Sequence, residues 1–411
     1  MKNKRVVITG LGIIGSNGIG KDAFLEAIFQ GVSGIKPISL FDASAFKVKS
    51  AGEVKDFDPA VFLGSKGLRT LDRSTKLVNS ATKLALDDTK LVIDENNTLD
   101  IGVVVGNTLG SVYSISEFDK EALLEGPQYV NPALFPNTVI NSPASQVSIK
   151  FNIKGFNTTI STGFSASLDA IKYAVDFLRL GRAKIVLAAG VEELCLQTFL
   201  GFYKTGFLAG LEDGQPEISA PFDKKRNGII LGEGSAVLVL EDLDSALERK
   251  ANIYAEVLGC GRGFDSYRTN KYCPSGAGLK DSISMAIEDA GITNADIDYI
   301  SAAANSTKEA DKIEAGVIKE IFGREKIRTS SIKSQIGECF SATGAFQVAV
   351  AVGAIDKQMI PPTNNYSEKD PECDLNYMVT KTEAAKVNNV LVNAFGPSGC
   401  NASVIISRFQ A

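Results

Sequence analysis

Short apolar runs rich in Val and Ile alternate along this chain with longer segments of helical period, and this alternation narrows the possible folds more than any other feature. The runs lie at 6–8, 101–105, 184–189, 236–240, 297–302, 390–392 and 402–406, and the helical segments at 75–88, 165–180, 278–290 and 311–322. A run that is apolar without alternation suits a strand buried on both faces, and such strands belong to sheets sandwiched between helices. The expected class is therefore α/β. At 411 residues, 44% hydrophobic and 22% charged, the chain is large enough for two cores or for one body made of two similar halves. A weak twofold recurrence of strands and helices around 241–250 favours the second, with halves at 1–250 and 251–411.

Several function classes are excluded early. The net charge is −5 and the cations are scattered among carboxylates, so no basic stripe exists to neutralise a phosphate backbone and no nucleic acid partner is expected. No stretch reaches the roughly 18 uninterrupted apolar residues of a membrane span. The start, M-K-N-K-R followed by V-V-I-T-G-L-G-I-I-G, reads as a buried strand entering a glycine turn at 10–15, not as a leader, and a cytoplasmic location with no membrane partner is expected. Further glycine turns follow strands at 106–110 and 396–399 but match neither G-x-G-x-x-G nor a Walker loop, so no nucleotide cofactor is expected. The six cysteines are widely spaced without a C-x-x-C pair, which suits buried thiols better than disulfides or metal. Histidine is absent altogether. That removes His-dependent metal sites, Ser-His-Asp triads and Cys-His dyads from this chain.

The segment T-T-I-S-T-G-F-S-A-S-L-D-A at 158–170 has the form of a nucleophile elbow, a strand turning through Ser-Thr-Gly into a helix whose N-terminal amides face the apex. The apex residue is Phe164, which has no nucleophilic atom. Ser165 and Ser167 flank it, and N-capping is the usual role of serine at that place.

At these residues the chain resembles the β-ketoacyl synthases, whose elbow reads Thr-Ala-Cys-Ser where this chain has Thr162-Gly163-Phe164-Ser165. The resemblance continues through A-P-F-D-K-K-R-N-G-I-I-L-G-E-G-S-A-V-L-V-L-E-D at 220–242, S-T-K-E-A-D-K-I-E at 306–314, K-S-Q-I-G at 333–337 and N-A-F-G-P-S-G-C-N-A-S at 393–403, and so spans essentially the whole chain. It implies a thiolase-like fold, two similar halves in a five-layered α-β-α-β-α arrangement. By position it implies that the catalytic Cys is replaced by Phe164, the first catalytic His by Ala303 and the second by Glu338. Lys333 matches the family's active-site lysine, and Pro397 replaces the gate phenylalanine of the C-terminal loop. Without a thiolate there is no acyl-enzyme, and without imidazoles the developing enolate has no paired donors. Lys333 and Glu338, five residues apart, suit a structural ion pair as well as a catalytic one.

Loss of all three groups resembles the chain-length factors of bacterial type II polyketide synthases more than the decarboxylating priming domains, which keep both His residues. The segment 107–127, ending E-G-P, resembles the region of those subunits that closes the polyketide tunnel, and it implies gating roles for Val112, Ile115 and Phe118. The residues themselves also fit a core-facing stripe at helical spacing. N-P-A-L-F-P-N-T-V-I-N at 131–141 resembles a segment that crosses the dimer interface, making Leu134 and Phe135 interface candidates. The implied partners are an active Cys-His-His ketosynthase, in a heterodimer or a dimer of heterodimers, and an acyl carrier protein bearing the substrate. No metal and no cofactor of its own are implied. Two other readings stay open: an acyltransferase with a relocated nucleophile, Cys339 or Ser165 assisted by Lys333, and a homodimer that binds an acyl ligand without turnover.

Overall fold

Ten strands carry the architecture: β1 Val6–Gly15, β2 Ile101–Gly106, β3 Asn157–Ile160, β4 Ile185–Glu192, β5 Gly234–Asp242, β6 Ala255–Phe264, β7 Tyr299–Ser301, β8 Arg328–Ser330, β9 Asn389–Phe395 and β10 Cys400–Ser407. The computed structural model describes residues 4–323, 327–375 and 378–410. The strands lie in the order β3-β2-β4-β5-β1 and then β6-β10-β9-β7-β8. Each set of five repeats one pattern: first against fifth antiparallel, fifth against fourth antiparallel, fourth against second parallel, second against third parallel. The sets meet where β1 pairs β6 at Val7↔Glu256 and Ile8↔Ala255.

The helices that matter here are α1 Arg73–Thr89, α2 Val112–Leu124, α3 Ser142–Phe151, α4 Ala166–Arg179, α5 Leu196–Thr205, α6 Ala277–Ala290, α7 Lys308–Phe322 and α8 Thr343–Lys357. Both α4 and α8 touch strands of both sets and each other, α1 and α3 cover the outside of the first set, and α6 with α7 behind it covers the second. The result is the five-layered thiolase-like arrangement. Every residue of α8 from Thr343 to Ile355 is buried. A helix apolar all round belongs between two sheets, and α8 lies there.

The glycine turn expected at 10–15 is not a turn. β1 runs unbroken to Gly15 with a register shift between Ile8 and Gly10. A Cβ at Gly12 would lie 1.8 Å from the Ala81 carbonyl oxygen and one at Gly10 2.8 Å from that of Ala85, so the glycines let α1 lie directly on the strand. The second half repeats the device: Cβ atoms at Gly259, Gly261 and Gly263 would meet the carbonyls of Ala286, Ser282 and Gly278 on α6 at 2.2, 1.9 and 2.1 Å. Because β6 reads as alternating glycine, it carries no apolar run to betray it. Strand β8 escapes notice because it is short and polar, whereas β3 is the strand expected to enter the elbow. Among the described residues no helix is long and apolar enough to cross a membrane.

Candidate functional site

The chain leaves β3 and turns through Gly163, whose φ of +75° is a left-handed conformation suited to glycine. A single turn at Gly163–Ser165 then enters α4. The Phe164 ring is not presented outward as an elbow side chain would be. It packs edge-on against Phe340, with 5.2 Å between centroids at 84°, and Phe340 stacks on Phe202 of α5 at 4.8 Å. Gly396 lies against it, since a Cβ there would meet the Phe164 ring at 2.6 Å. Pro397 follows, half-buried, in the same C-terminal turn. Three aromatic rings thus fill the ground around the apex.

Ser165 does not cap α4, contrary to the usual role of serine there. Its buried Oγ donates to Asp169 Oδ2 at 2.9 Å and to the Thr162 carbonyl at 3.3 Å, while Asp169 Oδ1 accepts from Arg262 Nε at 2.8 Å. With its carboxylate partner held by an arginine and no access to solvent, this hydroxyl serves the turn.

Lys333 and Glu338 face each other in the interior, their side chains 3% and 1% exposed, with Nζ 2.8 Å from Oε2. Lys333 Nζ also donates to the Ala303 carbonyl at 2.6 Å. Glu338 accepts further from Asn305 Nδ2 at 3.2 Å on Oε2, and on Oε1 from the Phe340 amide at 3.0 Å and Thr343 Oγ1 at 2.9 Å. A buried ion pair persists when its remaining lone pairs and protons are met by hydrogen bonds, and this one is so met. Behind Ala303, the amides of Ala303 and Ala304 donate to Glu314 at 2.9 and 2.7 Å, and burial pushes the Glu314 carboxyl up to about 7. The fold therefore gathers Phe164, Ala303, Lys333 and Glu338 into one region, with Phe340 linking the elbow to the ion pair. What it gathers is a closed polar network beside an aromatic plug.

Cys339 offers no replacement nucleophile. Its side chain is fully buried, with Sγ 3.7 Å from the Glu233 carbonyl oxygen, and burial, reinforced by the neighbouring Glu338 charge, pushes the thiol well above its usual range. Such a thiol is inert. Tyr272, which the sequence did not single out, stands between this network and the surface. It lines a cleft of about 270 Å³ shared with Phe207, Gly228 and Thr307, yet is itself buried, edge-on to Phe395 at 5.6 Å. Burial and then the Glu338 charge raise its hydroxyl above the usual phenol range.

The 107–127 segment sits quite differently. Along the whole of α2 only Ser114 is buried; Val112 and Phe118 are half-buried and Ile115 is 38% exposed. None of the three belongs to the hydrophobic core, so the helix does not carry a core-facing stripe. Phe118 packs at a tilt against Phe135, with 5.9 Å between centroids, Leu134 is half-buried, Phe135 is 57% exposed and Leu123 is 85% exposed. The helix is anchored from below by two acids at the end of β4. Glu192 accepts from the Leu109 amide at 3.0 Å and Glu193 from Ser111 Oγ at 3.4 Å, and burial pushes these carboxyls up to about 7 and about 8. Neither acid was legible beforehand, since a V-E-E ending a strand carries no chemical signature.

Joined to this face through α3, which contacts both the Pro132–Thr138 turn and β3, is an open sheet edge. Phe156 and Ile160 direct their carbonyls at β2, to the amides of Val103 and Asn107. The strand alternation then turns the N–H and C=O of Asn157 and Thr159 away from β2, where no strand pairs among the described residues. Among those residues, too, no group of three or more Cys, Asp or Glu is placed to hold a metal ion.

Comparison with known proteins places this arrangement. Residues 3–246 match "Beta-ketoacyl synthase, N-terminal domain" and residues 254–367 "Beta-ketoacyl synthase, C-terminal domain". A 3-oxoacyl-[acyl-carrier-protein] synthase 2 of Coxiella burnetii is 35% identical over 99% of both chains. The solved ishigamide ketosynthase/chain length factor superposes with a TM-score of 0.94 at 32% identity, covering 99% of this chain and 100% of that one. A type II polyketide ketosynthase solved with its acyl-carrier protein and bound to the hexaketide superposes at 0.90 with 27% identity, covering 99% and 100%. Matched over both of its halves and along nearly its full length, the chain belongs to the β-ketoacyl synthase family.

Proposed function

We propose that this chain is the chain-length factor of a ketosynthase pair: a subunit without condensing activity that joins an active Cys-His-His ketosynthase and bounds its acyl tunnel. The observation that carries this reading is the contrast between its two regions. Where the family performs chemistry, Phe164 occupies the nucleophile's place and Lys333 and Glu338 neutralise each other in a sealed network. Where a partner would sit, α2 and the 131–141 segment expose Ile115, Phe135 and Leu123 beside an unpaired strand edge. Exposed apolar surface of this extent beside an open edge marks an interface.

The mechanism that follows is geometric. The partner supplies the thiolate, the two imidazoles and the carbon–carbon bond formation, on an acyl chain delivered by an acyl carrier protein. This chain supplies part of the wall against which the growing chain ends, and Val112, Ile115 and Phe118 are the side chains of α2 in position to set it. The resemblance to the ishigamide ketosynthase/chain length factor supports the pairing. The resemblance to a named synthase supports the body; the residues needed for synthase chemistry are the ones this chain lacks.

Co-expression with such a ketosynthase, purification of the pair and mass analysis of the products test the reading. Phe118→Ala removes a ring from the tunnel end and is expected to lengthen the major product by one or more two-carbon units, with the pair still intact. Products of unchanged length, or a chain that purifies alone as a homodimer, would count against it.

A further inference from the structure

We infer that Phe135 is a positioning residue for Phe118, so that the stop set by this chain is a unit of two rings drawn from α2 and the Pro132–Thr138 turn. The inference rests on the chain-length reading above.

Helix α2 has only Ser114 buried, so no core beneath it selects the Phe118 rotamer. The ring contact that Phe118 makes is with Phe135, at 5.9 Å and a tilt of 53°. Aromatic pairs at this separation hold one another in orientation. The turn that carries Phe135 is fixed at both ends. At one end the Asn131 amide donates to Glu121 Oε2 at 3.0 Å, tying the turn to α2 one helical turn beyond Phe118. At the other, buried Asn137 donates through Nδ2 to the Thr70 carbonyl at 2.7 Å, and Thr138 Oγ1 donates to the Phe135 carbonyl at 2.8 Å. The backbone that carries Phe135 is thus pinned on both sides, and among the described residues the ring contact of Phe118 is with Phe135. Its neighbour Leu134 has no ring to offer, so the effect belongs to Phe135 and not to the bulk of the segment. Without Phe135, Phe118 gains rotamers that swing it off the path of the acyl chain, and the stop recedes although the gate residue remains.

The test uses the co-purified pair and reads the distribution of product lengths for wild type, Phe118→Ala, Phe135→Ala and the double variant. Phe135→Ala is expected to raise the fraction of products longer by a two-carbon unit about threefold, the ratio that an aromatic pair of ordinary strength sustains. The double variant should match Phe118→Ala alone, because two residues acting as one unit do not add. Phe135→Tyr should restore the wild-type distribution. Where Phe135→Ala impairs assembly, Phe135→Leu keeps the apolar contact, removes the ring and should give the same lengthening. A normal distribution in Phe135→Leu, or a yield that falls equally at every length, would show an interface role alone and overturn the inference. Lengthening in Phe118→Ala without any in the Phe135 variants sinks this inference but leaves the chain-length reading standing. No lengthening in Phe118→Ala sinks both.

Discussion

Lys333→Met is expected to lower the stability of the chain by about 3–5 kcal/mol, because it strands a buried carboxylate whose partner has gone. Glu338 is 1% exposed, so water does not replace the lost ammonium, and three remaining donors do not neutralise a charge. Lys333→Met combined with Glu338→Gln should regain about half of that loss, since the amide oxygen still accepts from the Phe340 amide and Thr343 while no charge is left unpaired. Denaturant midpoints of the wild type and both variants measure it. The assignment matters beyond stability. If Lys333 were retained for chemistry, its replacement would alter turnover and leave the midpoint nearly still. A midpoint that does not move would contradict the structural pair.

Thr159→Pro is expected to weaken association with the partner by a factor on the order of a hundred while leaving the chain folded, a loss on the order of 3 kcal/mol from a missing edge donor and a ring that obstructs pairing. The argument depends on which way the strand faces. Thr159 directs its N–H to the open edge, whereas its neighbour Thr158 faces β2 within the chain. Proline is tolerated on an edge and not in an internal ladder. Thr158→Pro should therefore destabilise the chain itself, and Thr159→Val, which keeps the backbone donor, should change neither property. Sedimentation of each variant with and without the ketosynthase separates the outcomes. Full association of a folded Thr159→Pro would place the interface elsewhere.

Much of the fold was legible because strands such as β2, β4 and β5 are buried on both faces and announce themselves as unbroken Val and Ile. At β6, as in the far part of β1, the signal was lost because a helix lies so close that alternate residues must be glycine, and at β8 because the strand is only three polar residues long. The elbow region was readable in outline, since Phe164, Ala303, Lys333 and Glu338 do come together. Their chemistry was only partly readable. That Lys333 and Glu338 pair could be suspected from their spacing, but Asn305, which completes the network together with the nearby Phe340 amide and Thr343, comes from a separate segment. Nor could spacing decide whether α2 faced the core, because an amphipathic period looks the same against a core and against a partner. Burial decided it: Ser114 alone goes inside.

On the proposed reading, condensation chemistry resides in a partner ketosynthase and not in this chain. Intact-mass analysis of the co-purified pair after incubation with acyl-loaded carrier protein tests this most directly. The acyl mass should appear on the ketosynthase and be absent from this chain, in wild type and equally in Phe164→Ser, because Ala303 and Glu338 leave a restored hydroxyl without a base. An acyl adduct on this chain, at Cys339, Ser165 or any other residue, would contradict the account.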